Sequence, residues 1–174
     1  MRDFFEIIRA RRSVRAYESR AVEPKQLEAI LEVANRAPSA GNLQGYEIHV
    51  VRDAATRRAL ARASLEQMFL TQAPVALVFC ADPARSAAKY GRRGEELYSV
   101  QDATIAAAYA QLAATALGLA TCWVGAFDET EVARILGLRR GLRPVAILPV
   151  GWPAESPAPT PRRALSELVR EHAG

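Results

Sequence analysis

From Ala103 to Phe127 the chain runs 25 residues without a charged side chain, and any fold it adopts must hide that run from water. The run is longer than the roughly 20 residues that cross a bilayer. It is Ala-rich, however, and carries Thr104, Tyr109, Gln111, Thr115 and Thr121. Within it, Gly118-Leu119-Ala120-Thr121 reads as a helix stop followed by a short β run. The expectation is a buried central helix plus a strand, enclosed by the rest of the chain and not by lipid. The remaining sequence can supply that enclosure. Half of the 174 residues are hydrophobic, and a length within about 100–200 residues fits a single domain over residues 1–174.

The flanking segments read as follows. Asp3 caps a short helix with Phe4, Ile7 and Ile8 on one face. Pro24 suits a helix first turn, and Leu27, Ile30, Leu31 and Ala34 then keep helical spacing until the chain nears Pro38. Tyr46 to Arg52 alternates as a strand, Asp53 opens a helix holding Leu60, and Val75 to Cys80 is an apolar run suited to a fully buried strand. Residues 83–98 show no clear period and are expected as an irregular loop, mobile or functional. Ser99 with Asp102 resembles a capping box opening the long helix, and Asp128 with Glu131 opens another that closes at Gly137. Pro144 to Val150 is a last core strand, followed by a linker from Trp152 to Pro161 holding four prolines. An amphipathic tail carries Leu165, Leu168 and Val169. Long helices with several strands predict an α+β fold, a mixed sheet covered by helices.

Several chemistries are missing. Cys80 and Cys122, the only cysteines, lie in apolar runs and read as core thiols of a reducing compartment. His49 and His172 have no partner at metal-ligand spacing. The first residues lack the apolar stretch of a secretory signal, so the cytoplasm is the expected location. The net charge of +4 includes no block of like charge, which gives little support to a nucleic-acid surface. There is no Gly-x-Gly pair, no Gly-Lys-Ser/Thr and no nucleophile elbow. If the chain is an enzyme, a cofactor carries the chemistry.

Three segments could bind one. Arg11-Arg12-Ser13-Val14-Arg15 offers three guanidiniums and a hydroxyl, donors suited to a phosphate dianion, and Arg162-Arg163 could join them from the far end of the chain. Alone, such a run is also what a solvated basic patch looks like. Ala37-Pro38-Ser39-Ala40-Gly41-Asn42-Leu43-Gln44-Gly45 combines small residues with neutral amides and hydroxyls, fit either for a polyhydroxy chain or heteroaromatic edge, or for a tight helix-to-strand turn. Thr121 to Asp128 runs from a strand into a capped helix, where free backbone N–H groups can face a ligand or simply punctuate the chain.

Taken together and in this order, these segments resemble the nitroreductase family of flavoproteins over essentially the whole chain. The likeness rests on Arg11-Arg12-Ser13-x-Arg15, Ala37-Pro38-Ser39-x-x-Asn42-x-Gln44, Ala73-Pro74, Gln101-Asp102, Gly118-Leu119-x-x-Cys122-Trp123-x-Gly125-x-Phe127 and Arg162-Arg163-x-Leu165. It implies a nitroreductase-like α+β sandwich, a mixed and mostly antiparallel sheet flanked by helices, in an intertwined homodimer. Non-covalent FMN is then bound in two sites at the subunit interface. By the same resemblance, Arg11, Arg12, Ser13 and Arg15 match residues that hold the FMN phosphate and the pyrimidine edge. Pro38, Ser39 and Ala40 match a stretch that reaches the flavin from the partner subunit, with Asn42 in the same motif. Gln67 matches an amide against the ring, Gly125 and Ala126 match backbone beside flavin N5, and Arg162 or Arg163 matches a tail phosphate ligand. This chain departs from many relatives in having Gly45-Tyr46 where they have Pro-Trp, and it is short in the excursion that covers the flavin. Tyr90, Arg92, Arg93 and Tyr98 are the candidates for a substrate lid.

The implied reaction moves a hydride from NAD(P)H through flavin N5 to a small-molecule acceptor such as a nitroaromatic, a quinone or a flavin. Donors belong at the pyrimidine edge, where negative charge develops, and Arg15 and Gln67 could supply them; no side-chain acid or base is required. The rival readings are a non-catalytic flavin or nucleotide binder acting as carrier or sensor, and an RNA-binding domain. The expected partners are a second copy of the chain and the acceptor, with neither nucleic acid nor membrane.

Overall fold

The computed structural model describes residues 3–172, and in it the long uncharged run divides as its composition dictates. Its first part completes the 18-residue helix α5 (Ser99–Ala116), and after Gly118 the chain enters the two-residue strand β3 (Ala120–Thr121). Among the described residues no helix is long and apolar enough to cross a membrane. α5 is buried through alanines (Ala103, Ala106, Ala107, Ala110 and Ala114), whose small side chains let its backbone lie close against the sheet.

The remaining elements, in chain order, are α1 (Phe4–Ala10), α2 (Pro24–Asn35), β1 (Tyr46–Val51), α3 (Ala54–Ala63), β2 (Val75–Ala81), α4 (Pro83–Arg93), α6 (Glu129–Leu136), β4 (Arg143–Gly151) and α7 (Leu165–Leu168). The strands form one sheet in the order β1-β2-β4-β3 with antiparallel ladders throughout. A parallel bridge from Ser13 to Thr121 adds the mixed element at the β3 edge. β2 is buried along its whole length, because helices cover both faces of the sheet. Its odd-numbered residues Val75, Leu77 and Phe79 join α2 and α5 in one core, while Ala76, Val78 and Cys80 join α3 and α6 in the other. The period-two geometry of a strand produces that division, and it explains why the run shows no polar alternation.

Local signals set most boundaries. Asp3 and Glu6 make a reciprocal capping box on α1, and Asp53 and Asp128 accept from Thr56 and Glu131 at the starts of α3 and α6. Two expectations are overturned. Residues 83–98 are helical, as α4 followed by a π turn over Gly94–Tyr98. Asp82 caps α4 and Pro83 opens it; its helical period lies in the cations Arg85, Lys89, Arg92 and Arg93, and the opposite face is Ala and Ser, with no large apolar side chains to read as a stripe. Ser99 and Asp102 form no capping box, because the π turn feeds directly into α5 and leaves no free first-turn amides there. The Ser99 hydroxyl instead donates to the Glu95 carbonyl at 3.0 Å, and Asp102 is engaged elsewhere.

From Glu155 to His172 the chain is mostly exposed, and it is extended apart from the short α7. Phe4, Phe5 and Ile8 on α1 and Leu165, Leu168 and Val169 in the tail all lie open.

Candidate functional site

Arg11 ends α1, its N–H bonded to the Ile7 carbonyl at 3.0 Å. The chain then runs beside β3, pinned by Val14 N–H to the Thr121 carbonyl at 3.1 Å. Arg12 turns back on the helix end, donating to the carbonyls of Arg9 and of Arg11, the latter at 2.8 Å; a cation suits that negative pole. The tail crosses the same region and closes a cavity of about 520 Å³ lined by Arg9, Arg11, Arg12, Ser13, Thr160 and Arg162, with Ile8 and Pro159. Four arginines and no acidic residue line it among the described residues. Of the tail pair, Arg162 lines this cavity, whereas Arg163 donates to the Glu167 carboxylate at 3.1 Å one turn further on. Arg11 and Arg12 also border a neighbouring cavity of about 240 Å³ that includes Glu155.

Arg15 leaves this group. Its N–H donates to the Glu155 carboxylate, and its guanidinium lies 6.0 Å from the Phe69 ring centroid. Two residues before Phe69, the Gln67 amide donates to the carbonyls of Ser64 at 2.9 Å and Ala126 at 3.2 Å. Gln67 is thereby joined to the exposed Gly125-Ala126 stretch, its amide hydrogens spent and its own carbonyl oxygen free. Leu65 and Glu66, at φ 56° and 58°, form the left-handed bend that carries it there. Behind Ser13 lies buried Cys122. Burial pushes its thiol pKa up, while Arg15, Arg11 and a hydrogen bond with Ser13 pull the other way and Glu155 opposes them. Burial is also the main reason the Tyr17 phenol is held protonated far above its ordinary range. Its hydroxyl donates to the Val14 carbonyl at 2.7 Å and so stiffens the Arg11–Arg15 segment.

The Pro38–Asn42 stretch does not meet these residues within one chain. With Tyr98, Gln101, Asp102 and Ile105, Pro38, Ser39 and Ala40 line a separate cavity of about 230 Å³. The loop is tightly wound, with Gly41 and Asn42 both at φ 56° and Gln44 at 48°, in the left-handed region that non-glycine residues seldom occupy. Asp102, only 2% exposed, holds it from inside. One carboxylate oxygen accepts from Ala40 N–H at 2.9 Å and the other from Gly45 N–H at 3.2 Å. The Ser39 hydroxyl accepts from Gln44 N–H at 3.0 Å. Gly45 has to be small, because a Cβ there would collide with the Ser86 hydroxyl. Sequence reasoning took Asp102 for a helix cap. The available signal was that it is the only charged residue of α5.

Over the turn at Gly41 stand Tyr90 and Lys89, the latter also missed from sequence. Tyr98 accepts from Arg93 Nε at 3.0 Å, so Tyr90, Arg93 and Tyr98 gather at this loop. Arg92 turns away to pair with Glu96 at 2.7 Å.

The sequence profile of the Nitroreductase family matches residues 8–70 and 67–152 of the chain. A protein of Thermus thermophilus named NADH dehydrogenase is 34% identical, the match covering 91% of each chain. The FMN reductase [NAD(P)H] of Bacillus subtilis is 31% identical over 93% of this chain and 70% of its own. Among solved structures, NfrA2 of B. megaterium superposes with a TM-score of 0.90 at 30% identity, over 99% of this chain and 75% of its own.

Proposed function

The chain belongs to the nitroreductase family, and from that premise we propose that it is an FMN-dependent oxidoreductase drawing hydride from NAD(P)H for a small-molecule acceptor. The observation that carries the cofactor assignment is the cavity where Arg11, Arg12 and Ser13 meet Arg162, residues about 150 positions apart in sequence, with cations on every charged side. Such a donor set fits a phosphate dianion, which is bound best by planar, multidentate guanidiniums. Arg12 contributes charge while fastened to the end of α1, and Arg11 and Arg162 are the freer partners.

When bound, FMN supplies reversible two-electron chemistry at its isoalloxazine ring; in net terms NAD(P)H and a proton reduce a two-electron acceptor to its dihydro form. The chain's own residues bind and orient. Arg15 provides the cation for the pyrimidine edge, where negative charge develops. Gln67 acts by holding the Gly125-Ala126 turn, whose exposed backbone is available to the ring. Pro38, Ser39, Ala40 and Asn42 serve the site of a second copy, since within one chain they line a different cavity. That reading gives the open apolar faces of α1 and the tail a role as the covered surface of a homodimer. The two buried, unpaired thiols agree with a reducing, cytoplasmic setting.

The test is direct. Purified protein is expected to be yellow, with FMN released on denaturation, and to oxidise NADH or NADPH when given a quinone. Each charge-assisted hydrogen bond is worth about 1.5–3 kcal/mol. Arg11→Ala with Arg162→Ala is therefore expected to weaken FMN binding at least a hundredfold while the circular dichroism spectrum stays native. FMN affinity unchanged in that double variant refutes the phosphate assignment. Bound FMN without NAD(P)H turnover would mark the chain as a carrier or sensor.

A further inference from the structure

Lys89, Tyr90, Arg93 and Tyr98 form one continuous constellation. The two tyrosine rings meet edge to face, their centroids 5.2 Å apart at 83°. The Lys89 ammonium lies 5.4 Å from the centre of the Tyr90 ring, and the Arg93 guanidinium 5.4 Å from that of Tyr98. Each ring of the pair thus has a cation beside it. Neither cation has a carboxylate at ion-pair distance among the described residues, whereas Arg92 beside them is neutralised by Glu96. The nearest buried acid, Asp102, is committed to the backbone of the loop.

The constellation is also held in place. α4 breaks at Gly91, with φ 55° and ψ −143°, and the π turn that follows aims Tyr98 back at Tyr90. Tyr98 lines the cavity with Pro38, Ser39 and Ala40. A planar ring entering that cavity meets Tyr98, and Tyr90 and Lys89 stand over the same loop at Gly41.

We propose that these four residues are the recognition surface for an anionic aromatic electron acceptor, a planar quinone-like ring bearing a sulfonate, carboxylate or phosphate. The rings hold the planar body by edge and face contacts, and Lys89 and Arg93 hold the anionic substituent. The proposal rests on the oxidoreductase reading above, and it names the substrate class that reading left open.

The experiment compares a naphthoquinone sulfonate with the uncharged methylnaphthoquinone by equilibrium dialysis against FMN-saturated protein. The wild type is expected to bind the sulfonate more tightly, with a preference that shrinks as salt is raised. Two exposed ion pairs support a preference of about tenfold, and Lys89→Gln with Arg93→Gln is expected to remove it while changing affinity for the uncharged quinone less than twofold. An equal loss for both ligands, or no loss for either, overturns the proposal while NAD(P)H oxidation with the uncharged quinone keeps the oxidoreductase reading intact. A chain that takes up no FMN overturns that reading and the acceptor assignment with it. Both variant positions are exposed, so native circular dichroism is expected and separates lost recognition from lost fold.

Discussion

Replacing Asp102 by Asn isolates how the loop from Pro38 to Gly45 is held. The substitution preserves shape but turns one of two acceptor oxygens into a donor. Asp102 is buried and accepts from Ala40 N–H at 2.9 Å and Gly45 N–H at 3.2 Å. Hydrogen bonds to a charged acceptor are worth about 1.5–3 kcal/mol, and an orphaned buried N–H costs about 1–3 kcal/mol. Asn keeps one bond in weaker, neutral form and sets an NH2 against the other amide, so the expected loss is about 2–3 kcal/mol. The loop also carries strain of its own, because Asn42 and Gln44 are left-handed non-glycine residues, each storing about 1 kcal/mol or more. With a slope of about 2 kcal/mol per molar urea, the unfolding midpoint is expected to fall by about 1–1.5 M. Hydrogen exchange gives the local readout, with the Ala40 and Gly45 amides losing protection ahead of those in β2. A midpoint within about 0.3 M of wild type, together with unchanged protection at both amides, refutes the clamp.

Further outcomes follow from other contacts. Burial pushes the Cys80 thiol pKa from 9.0 up to about 12, so the folded state retains a proton the unfolded chain releases. The associated stability is fully present below pH 9 and is lost as pH rises toward 12. Urea midpoints across that range are expected to fall more steeply in wild type than in Cys80→Ala, and equal slopes contradict the assignment. Gly45→Ala sets a Cβ against the Ser86 hydroxyl and is expected to cost about 1–3 kcal/mol; adding Ser86→Ala recovers most of it, and a double variant no more stable than the single one argues against that contact. Arg139 bridges Glu47 on β1 at 2.9 Å and the Asp82 cap of α4. Arg139→Ala is expected to lower the thermal midpoint only slightly, because the guanidinium is exposed, and an unchanged midpoint assigns the bridge no net value.

The departure at Gly45 acquires a physical meaning from these contacts. A proline there has no N–H to donate, so the second arm of the Asp102 clamp requires a residue other than proline at position 45. Nothing in the local pattern announced it, since Gly45 and Asp102 lie 57 residues apart.

The sequence by itself determined what short-range forces decide. Pro24 and the caps at Asp3, Asp53 and Asp128 marked helix starts, and the apolar run of β2 and the uncharged stretch of α5 marked what had to be buried. The ordered motifs, from Arg11-Arg12-Ser13 to the tail arginines, carried the family. Only the tertiary structure decided that Arg162 and not Arg163 joins Arg11, that Gln67 spends its amide on Ala126, and that Pro38–Ala40 belong to another cavity. It also showed residues 83–98 as helix, where the helical period is carried by Arg85, Lys89, Arg92 and Arg93 and not by large apolar side chains. The division has a single physical cause. Caps and periodicity act within a turn or two of chain, whereas a binding site is assembled from residues that become neighbours only after the sheet and its helices have packed.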